Sequence, residues 1–174
     1  MARFWFVAVL CILFAGSLFA SEASDARRRL ASSPSLSESQ SWQLSHDKDW
    51  TVRQSLARNR RAPTTLLDKL AQDPNVQVRI AVATNLSTTE ATFQRLARDK
   101  DSSVRSVVAR FEYVPASALA VLARDSSTDI RLEVARNPNT TKQTLHLLTR
   151  DPQPEVANSA TISLQRLAED AQGD

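Results

Sequence analysis

The chain has 174 residues, 42% hydrophobic and 6% aromatic, with two glycines and a net charge of +3. So few aromatics and glycines argue against a β-sandwich and for helices joined by short turns. The one cysteine, Cys11, lies in the first apolar run, so the chain beyond it has no means to form a disulfide, a Cys-ligated zinc site or an iron–sulfur cluster.

Met1-Ala2-Arg3 precedes an apolar stretch from Phe4 to Ala20, interrupted by Gly16 and Ser17. A basic start and an apolar run read as a secretory signal. Ser21 and Ala23 supply small residues at −3 and −1, so residues 1–23 are expected to be a signal peptide cleaved after Ala23. Cleavage after Ala20 would put the poorer Leu18 at −3. The mature chain is then exported, to the periplasm. The run also suits a membrane anchor through residues 4–20, although about 17 residues is short for a span. Arg27-Arg28-Arg29 just beyond it favours a cytoplasmic side. Residues 24–41 are Ser-rich and poor in apolar residues, and are expected to be a flexible linker.

From residue 42 the chain repeats. Asp47, Asp73, Asp99, Asp125 and Asp151 fall at an unbroken spacing of 26, and Val52-Arg53, Val78-Arg79, Val104-Arg105 and Ile130-Arg131 follow in phase. A fixed period of this length marks a solenoid in which each unit packs on its neighbours. The repeat domain, 42–174, divides into units 47–72, 73–98, 99–124 and 125–150 and a C-terminal cap, 151–174. Each unit opens on an Asp and a turn. A short helical segment follows, such as Val52 to Ala57 or Val78 to Ala83. After a break at Asn59, Asn85 or Asn137 comes a longer amphipathic helix of about ten residues, with apolar positions such as Leu67/Leu70 and Phe93/Leu96. No segment alternates with a period of two, so no sheet is expected. Trp42 and Leu44 fall where a preceding half-unit would end, with Trp50 beside them. In the last unit Val156, Ala160, Leu164 and Leu167 continue one stripe as a closing helix.

The runs Leu122 to Thr140 and Leu96 to Arg110 resemble leucine-rich repeat variants, a bacterial family similar to HEAT repeats. The resemblance covers about residues 44–168. It implies an all-α, right-handed α-solenoid alternating a longer α-helix with a short α or 3₁₀ helix. The cysteine-rich iron–sulfur segment of some members has no counterpart here, and no cofactor is implied. In HEAT-like repeats an Asp and an Arg six apart form a ladder along the stack. The positions that match are Asp47/Arg53, Asp73/Arg79, Asp99/Arg105 and Asp125/Arg131. The alternative is an exposed, anion-binding arginine row. Ala157, where the next Arg would fall, favours the structural role.

Three further sets stand out. Arg58, Thr84, Arg110 and Arg136 share one repeat position, thickened by Arg60 and Arg61; they form either a solvated stripe or a binding surface for an acidic protein, lipid or polysaccharide. Asn59, Asn85 and Asn137 are expected as helix ends, since Asn tolerates left-handed backbone. Phe111 interrupts that row, and Phe111 or Tyr113 is a candidate anchor for a partner.

His46 and His146 occupy variable polar positions. No nucleophile elbow, phosphate loop or His-Glu-x-x-His motif is present. The pairs Asp47/Asp49 and Asp99/Asp101 read as turn and capping residues. The expected role is an exported, non-enzymatic scaffold binding another protein in the bacterial envelope. The alternative is a polyanion binder using the arginine row, with nucleic acid disfavoured by export. A HEAT-like enzyme acting on DNA bases is a third class, which export contradicts.

Overall fold

The computed structural model describes residues 21–170; the apolar run of residues 4–20, where the signal or anchor is expected, lies outside the described residues. Eleven helices and no strand occur among them. Helix α1 covers residues 21–31. It is followed by α2 (Glu38–Leu44), α3 (Trp50–Arg58), α4 (Thr64–Leu70), α5 (Val76–Ala83), α6 (Glu90–Leu96), α7 (Ser102–Arg110), α8 (Ala116–Leu122), α9 (Thr128–Arg136), α10 (Lys142–Leu148) and α11 (Pro154–Asp170). They stack as pairs, one pair per repeat. The first helices, α3, α5, α7, α9 and α11, pack one on the next, and each second helix packs back on its neighbours.

The lengths are the reverse of those the sequence suggests. The first helices have 9, 8, 9 and 9 residues, whereas the second have 7 each. The first helix reaches its length because its N-cap lies before the Val-Arg pair. Asp49, Asn75 and Asp101 accept from the amides of Thr51, Gln77 and Ser103, which satisfies one of the orphan donors. No 3₁₀ helix occurs among the described residues. Tight i to i+3 hydrogen bonds appear instead at the ends of the second helices: the Gln72 amide donates to Lys69 O at 3.0 Å and that of Asp73 to Leu70 O at 3.1 Å.

Residues 24–41 are not a linker. Ala31 is fully buried in the common core, and α1 and α2 together form one more unit ahead of the first. Arg27, Leu30 and Ala31 lie one period before Arg53, Leu56 and Ala57. The cost of ordering a Ser-rich segment is offset by packing on an already stacked unit, which composition alone cannot report. Leu44, buried, completes this unit, with Trp42 packed against the core. Trp50 stays 38% exposed; the end of the stack is covered by α1 and α2 rather than by its indole.

One core runs the length of the solenoid. Val52, Leu56, Val78, Val82, Val104, Val108, Ile130 and Val134 fill it from the first helices, and Leu67, Leu70, Phe93, Leu96, Leu119, Leu122, Leu145 and Leu148 from the second. Burying each such side chain contributes roughly 1.5–3 kcal/mol. At the far end the 17-residue α11 replaces a helix pair, burying Val156, Ala160 and Ser163. Among the described residues no helix is long and apolar enough to cross a membrane.

Candidate functional site

The two long edges of the stack differ in chemistry. One edge holds the turns that lead into the first helices, where five arginines reach into the next unit. Arg79 donates through Nε to Asp99 Oδ2 at 2.7 Å and through Nη2 to Asp99 Oδ1 at 2.9 Å. Its Nη1 donates to the carbonyl of Asp73, in its own unit, at 2.9 Å. Arg53 does the same with Asp73 and the Asp47 carbonyl, Arg105 with Asp125 and the Asp99 carbonyl, and Arg131 with Asp151 and the Asp125 carbonyl. The carboxylate partner is thus the Asp 20 residues ahead, while the Asp six residues behind supplies only its backbone oxygen. Arg27 adds a rung below, donating to Asp47 at 2.6 Å and 3.3 Å. Ala157, at the same repeat position on α11, carries no fork.

Each rung aspartate has a second task. Its Oδ1 accepts the amide two residues on, as Asp73 does from Asn75 at 2.9 Å and Asp99 from Asp101 at 2.9 Å. It therefore makes the turn, and the residue whose amide it accepts caps the helix, as Asp49, Asn75 and Asp101 do. Charge-assisted forks of this kind are short and strong. The hydrogen bond from Arg131, with the Gln153 amide, holds the Asp151 carboxyl below the usual range against the opposing effect of burial. Burial pushes the Asp125 carboxyl upward, but the Arg105 fork and the Ser127 amide outweigh it and the net direction is down. Each ladder arginine from Arg27 to Arg131 is held above its ordinary value, first by the hydrogen bond to its aspartate.

The opposite edge is made by the turns between the two helices of each unit. Here the asparagines clamp one unit to the last. Asn85 Nδ2 donates to Ala57 O at 2.7 Å and Asn59 O at 3.0 Å; Asn137 reaches Ala109 O at 2.8 Å and Phe111 O at 3.2 Å; Asn59 reaches Ala31 O at 2.9 Å and Ser33 O at 3.0 Å. Ser163 takes over in α11, donating to Ala135 O at 2.7 Å. These are carbonyls at the ends of first helices, which the helix leaves without partners. The expected left-handed conformation is absent: Asn59 and Asn137 are extended, with φ of −68° and −71°, and no described residue has positive φ. Asparagine is required for its two-sided amide instead, since its Oδ1 also accepts the amide two residues on, as from Ser87 at 2.9 Å.

Phe111 stands where the clamp would be in the third unit. Its ring stacks on Phe93 at 5.9 Å and meets Tyr113 edge-on at 5.8 Å. Phe93, at a position held by leucine in the other units, fills the space beside it. Phe111 is half-buried and part of this packing, while Tyr113 is exposed. The same edge carries the exposed Arg58, Arg60, Arg61, Arg110 and Arg136. Arg136 meets Glu155 at 3.4 Å, both well exposed. No carboxylate among the described residues lies within ion-pair distance of the other four.

The histidines sit apart from one another. His46 lies 2.6 Å from Lys69 Nζ, which also crosses the Trp42 ring; His146 is exposed on α10. Among the described residues no group of three or more His, Cys, Asp or Glu is placed to hold a metal ion.

Stacked helix pairs, a continuous core and inter-unit clamps repeated at one period define an all-helical repeat solenoid. Neither a protein-family model nor a curated protein matches the sequence. Among solved structures the chain is similar to one described as "a leucine-rich repeat variant with a novel repetitive protein structural motif". The two are 24% identical over 79% of this chain and 65% of that one, with a TM-score of 0.42. The chain thus spans just under two thirds of that structure's length. At that overlap the likeness carries no further argument, and this chain's own ladder and stacked helices define its architecture.

Proposed function

We propose that this protein is an exported, non-enzymatic scaffold that binds another protein along its stacked surface. The observation that carries this reading is the locking of each unit to the next by an arginine fork on one edge and, at all but one turn, by an amide clamp on the other. A surface held in this way is pre-organised, which lowers the ordering cost of binding. The paired aspartates Asp47/Asp49 and Asp99/Asp101 are engaged in turns, caps and forks. Export is supported by the basic start and the apolar run of residues 4–20. Residues 21–23 are exposed, and Ser24, first after the expected cleavage, hydrogen-bonds Asp49. The bacterial envelope is the location that fits the signal.

The experiment is crosslink-assisted capture with the full-length chain in its native host, at low and high salt, with the amino terminus sequenced in the same sample. One protein retained at high salt, on a chain starting at Ser24, is the expected result. A chain that keeps Met1, or one that captures no protein, overturns the reading. The second reading, a polyanion binder, is favoured by one observation: Arg58, Arg60, Arg61 and Arg110 lack an acidic partner among the described residues. It predicts binding to anionic lipid or polysaccharide that salt removes.

A further inference from the structure

The ladder accounts for the arginines of one edge and leaves those of the other unexplained. Arg58, Arg110 and Arg136 end first helices, where a cation complements the helix dipole. Arg60 and Arg61 lie in a turn, outside any helix, and that account does not reach them. Between them and Arg136 the same strip carries its most exposed apolar groups, Leu86 at 52% and Tyr113 at 62%. The turns are held together side by side: Ser87 Oγ donates to Arg60 O at 3.1 Å, and Asn139 Nδ2 to Glu112 O at 2.6 Å and Val114 O at 3.2 Å. Arginine and tyrosine are the residue types that supply most interface energy. Here they share one fixed strip; among the described residues Glu112 is the exposed acid of its turns, and Arg136 alone is met by a carboxylate, the exposed Glu155 at 3.4 Å, which an incoming acid would displace.

We infer that this strip is the docking edge of the scaffold, and that it takes an extended acidic segment of a partner protein anchored by an apolar side chain against Leu86 and Tyr113. The inference rests on the proposed scaffold function and specifies its partner. Charge complementarity selects the acidic segment, and the apolar centre selects protein over a bare polyanion.

The spacing sets a register. Neighbouring helices lie roughly 9 Å apart, so the turn of Arg60 and Arg61 is two units, about 18 Å, from Tyr113. An extended chain covers that in about five or six residues at roughly 3.3 Å each. Arg136 is one unit, about three residues, beyond Tyr113. The segment therefore places an acidic pair about six residues before its apolar anchor and a further acid about three after it.

The test is fluorescence anisotropy on the full chain, with a fluorescein-labelled synthetic peptide of that pattern: paired glutamates, a central leucine, a trailing glutamate. The controls are a scramble with the glutamates beside the leucine, and phosphatidylglycerol vesicles. The ordered peptide is expected to bind about tenfold more tightly than the scramble. Arg60→Glu with Arg61→Glu is expected to weaken it about tenfold, Tyr113→Ala by a similar factor, and Tyr113→Phe little. These side chains are exposed, and thermal melting checks that each variant folds. Equal binding of peptide and scramble, indifference to Tyr113→Ala, or binding to vesicles alone overturns the inference. A photocrosslinker placed at position 113 in the host separates the two claims. A partner captured only from other positions refutes this docking edge and leaves the scaffold function standing.

Discussion

Arg79→Ala tests the physical logic of the stack. The Arg79 side chain is 6% exposed and that of its partner, Asp99, 7%. Truncation removes two bonds to that carboxylate and the 2.9 Å bond to the Asp73 carbonyl. It leaves a buried charge whose remaining support is the Asp101 amide at 2.9 Å. Breaking one partner out of a buried pair costs about 3–5 kcal/mol, because the other charge stays desolvated. For a domain of this size that corresponds to a fall in melting temperature of about 10 °C or more. Circular dichroism at 222 nm, with heat and with urea, reads the loss. Two controls locate it. Asp99→Ala added to Arg79→Ala removes the stranded charge, so the double variant should be less destabilised than the sum of the single ones. Arg27→Ala removes the first rung, whose arginine side chain is 41% exposed, and should shift melting far less. An Arg79→Ala variant melting within about 2 °C of the parent, or no more affected than Arg27→Ala, would refute the claim that the ladder holds the units together.

The clamps on the other edge make a parallel prediction: Asn85→Ala strands the Ala57 carbonyl, while that of Asn59 keeps the Ala62 amide at 3.0 Å, and should cost about 2 kcal/mol in urea unfolding, with Ser87→Ala, on the same turn but outside the clamp, as the milder control. The acid limb of stability should follow the ladder. Asp125 and Asp151 are held below the usual carboxyl range, so their contribution is full above about pH 4 and is lost as pH falls through their lower folded values. The gap in melting temperature between the parent and Arg131→Ala should therefore shrink below about pH 4; a gap that stays constant into acid would refute this. Finally, Ala31→Glu buries a carboxylate in the unit formed by α1 and α2 and should lower the melting temperature by several degrees, whereas a flexible linker would tolerate it.

Periodicity made the solenoid legible, because a 26-residue spacing of Asp, Val-Arg and Leu can be satisfied only by units that bury their apolar faces on one another. The ladder residues were legible for the same reason, and Ala157 marked where the ladder stops. Which aspartate each arginine meets was not. The spacing of six is the visible one in the chain, but the fork closes 20 residues ahead, across a contact that exists only once two units are stacked. The extra unit before residue 42 was hidden because Ser21 and Ser33 stand where the later units have Asp and Asn; Arg27, Leu30 and Ala31 in register were its remaining signal. Helix lengths were misjudged because capping residues two positions past Asp47, Asp73 and Asp99, not the hydrophobic stripe, set where the first helix begins. The asparagines were recognisable as turn residues, yet their role as inter-unit clamps depends on carbonyls 26 to 28 residues away. The sequence by itself determined the architecture, since repetition and amphipathic spacing are local properties of the chain. The tertiary structure decided the pairing of charges, the packing of α1 and α2 as one more unit and the gathering of Arg60, Arg61, Leu86 and Tyr113 on one edge, since each depends on distances that only stacking fixes.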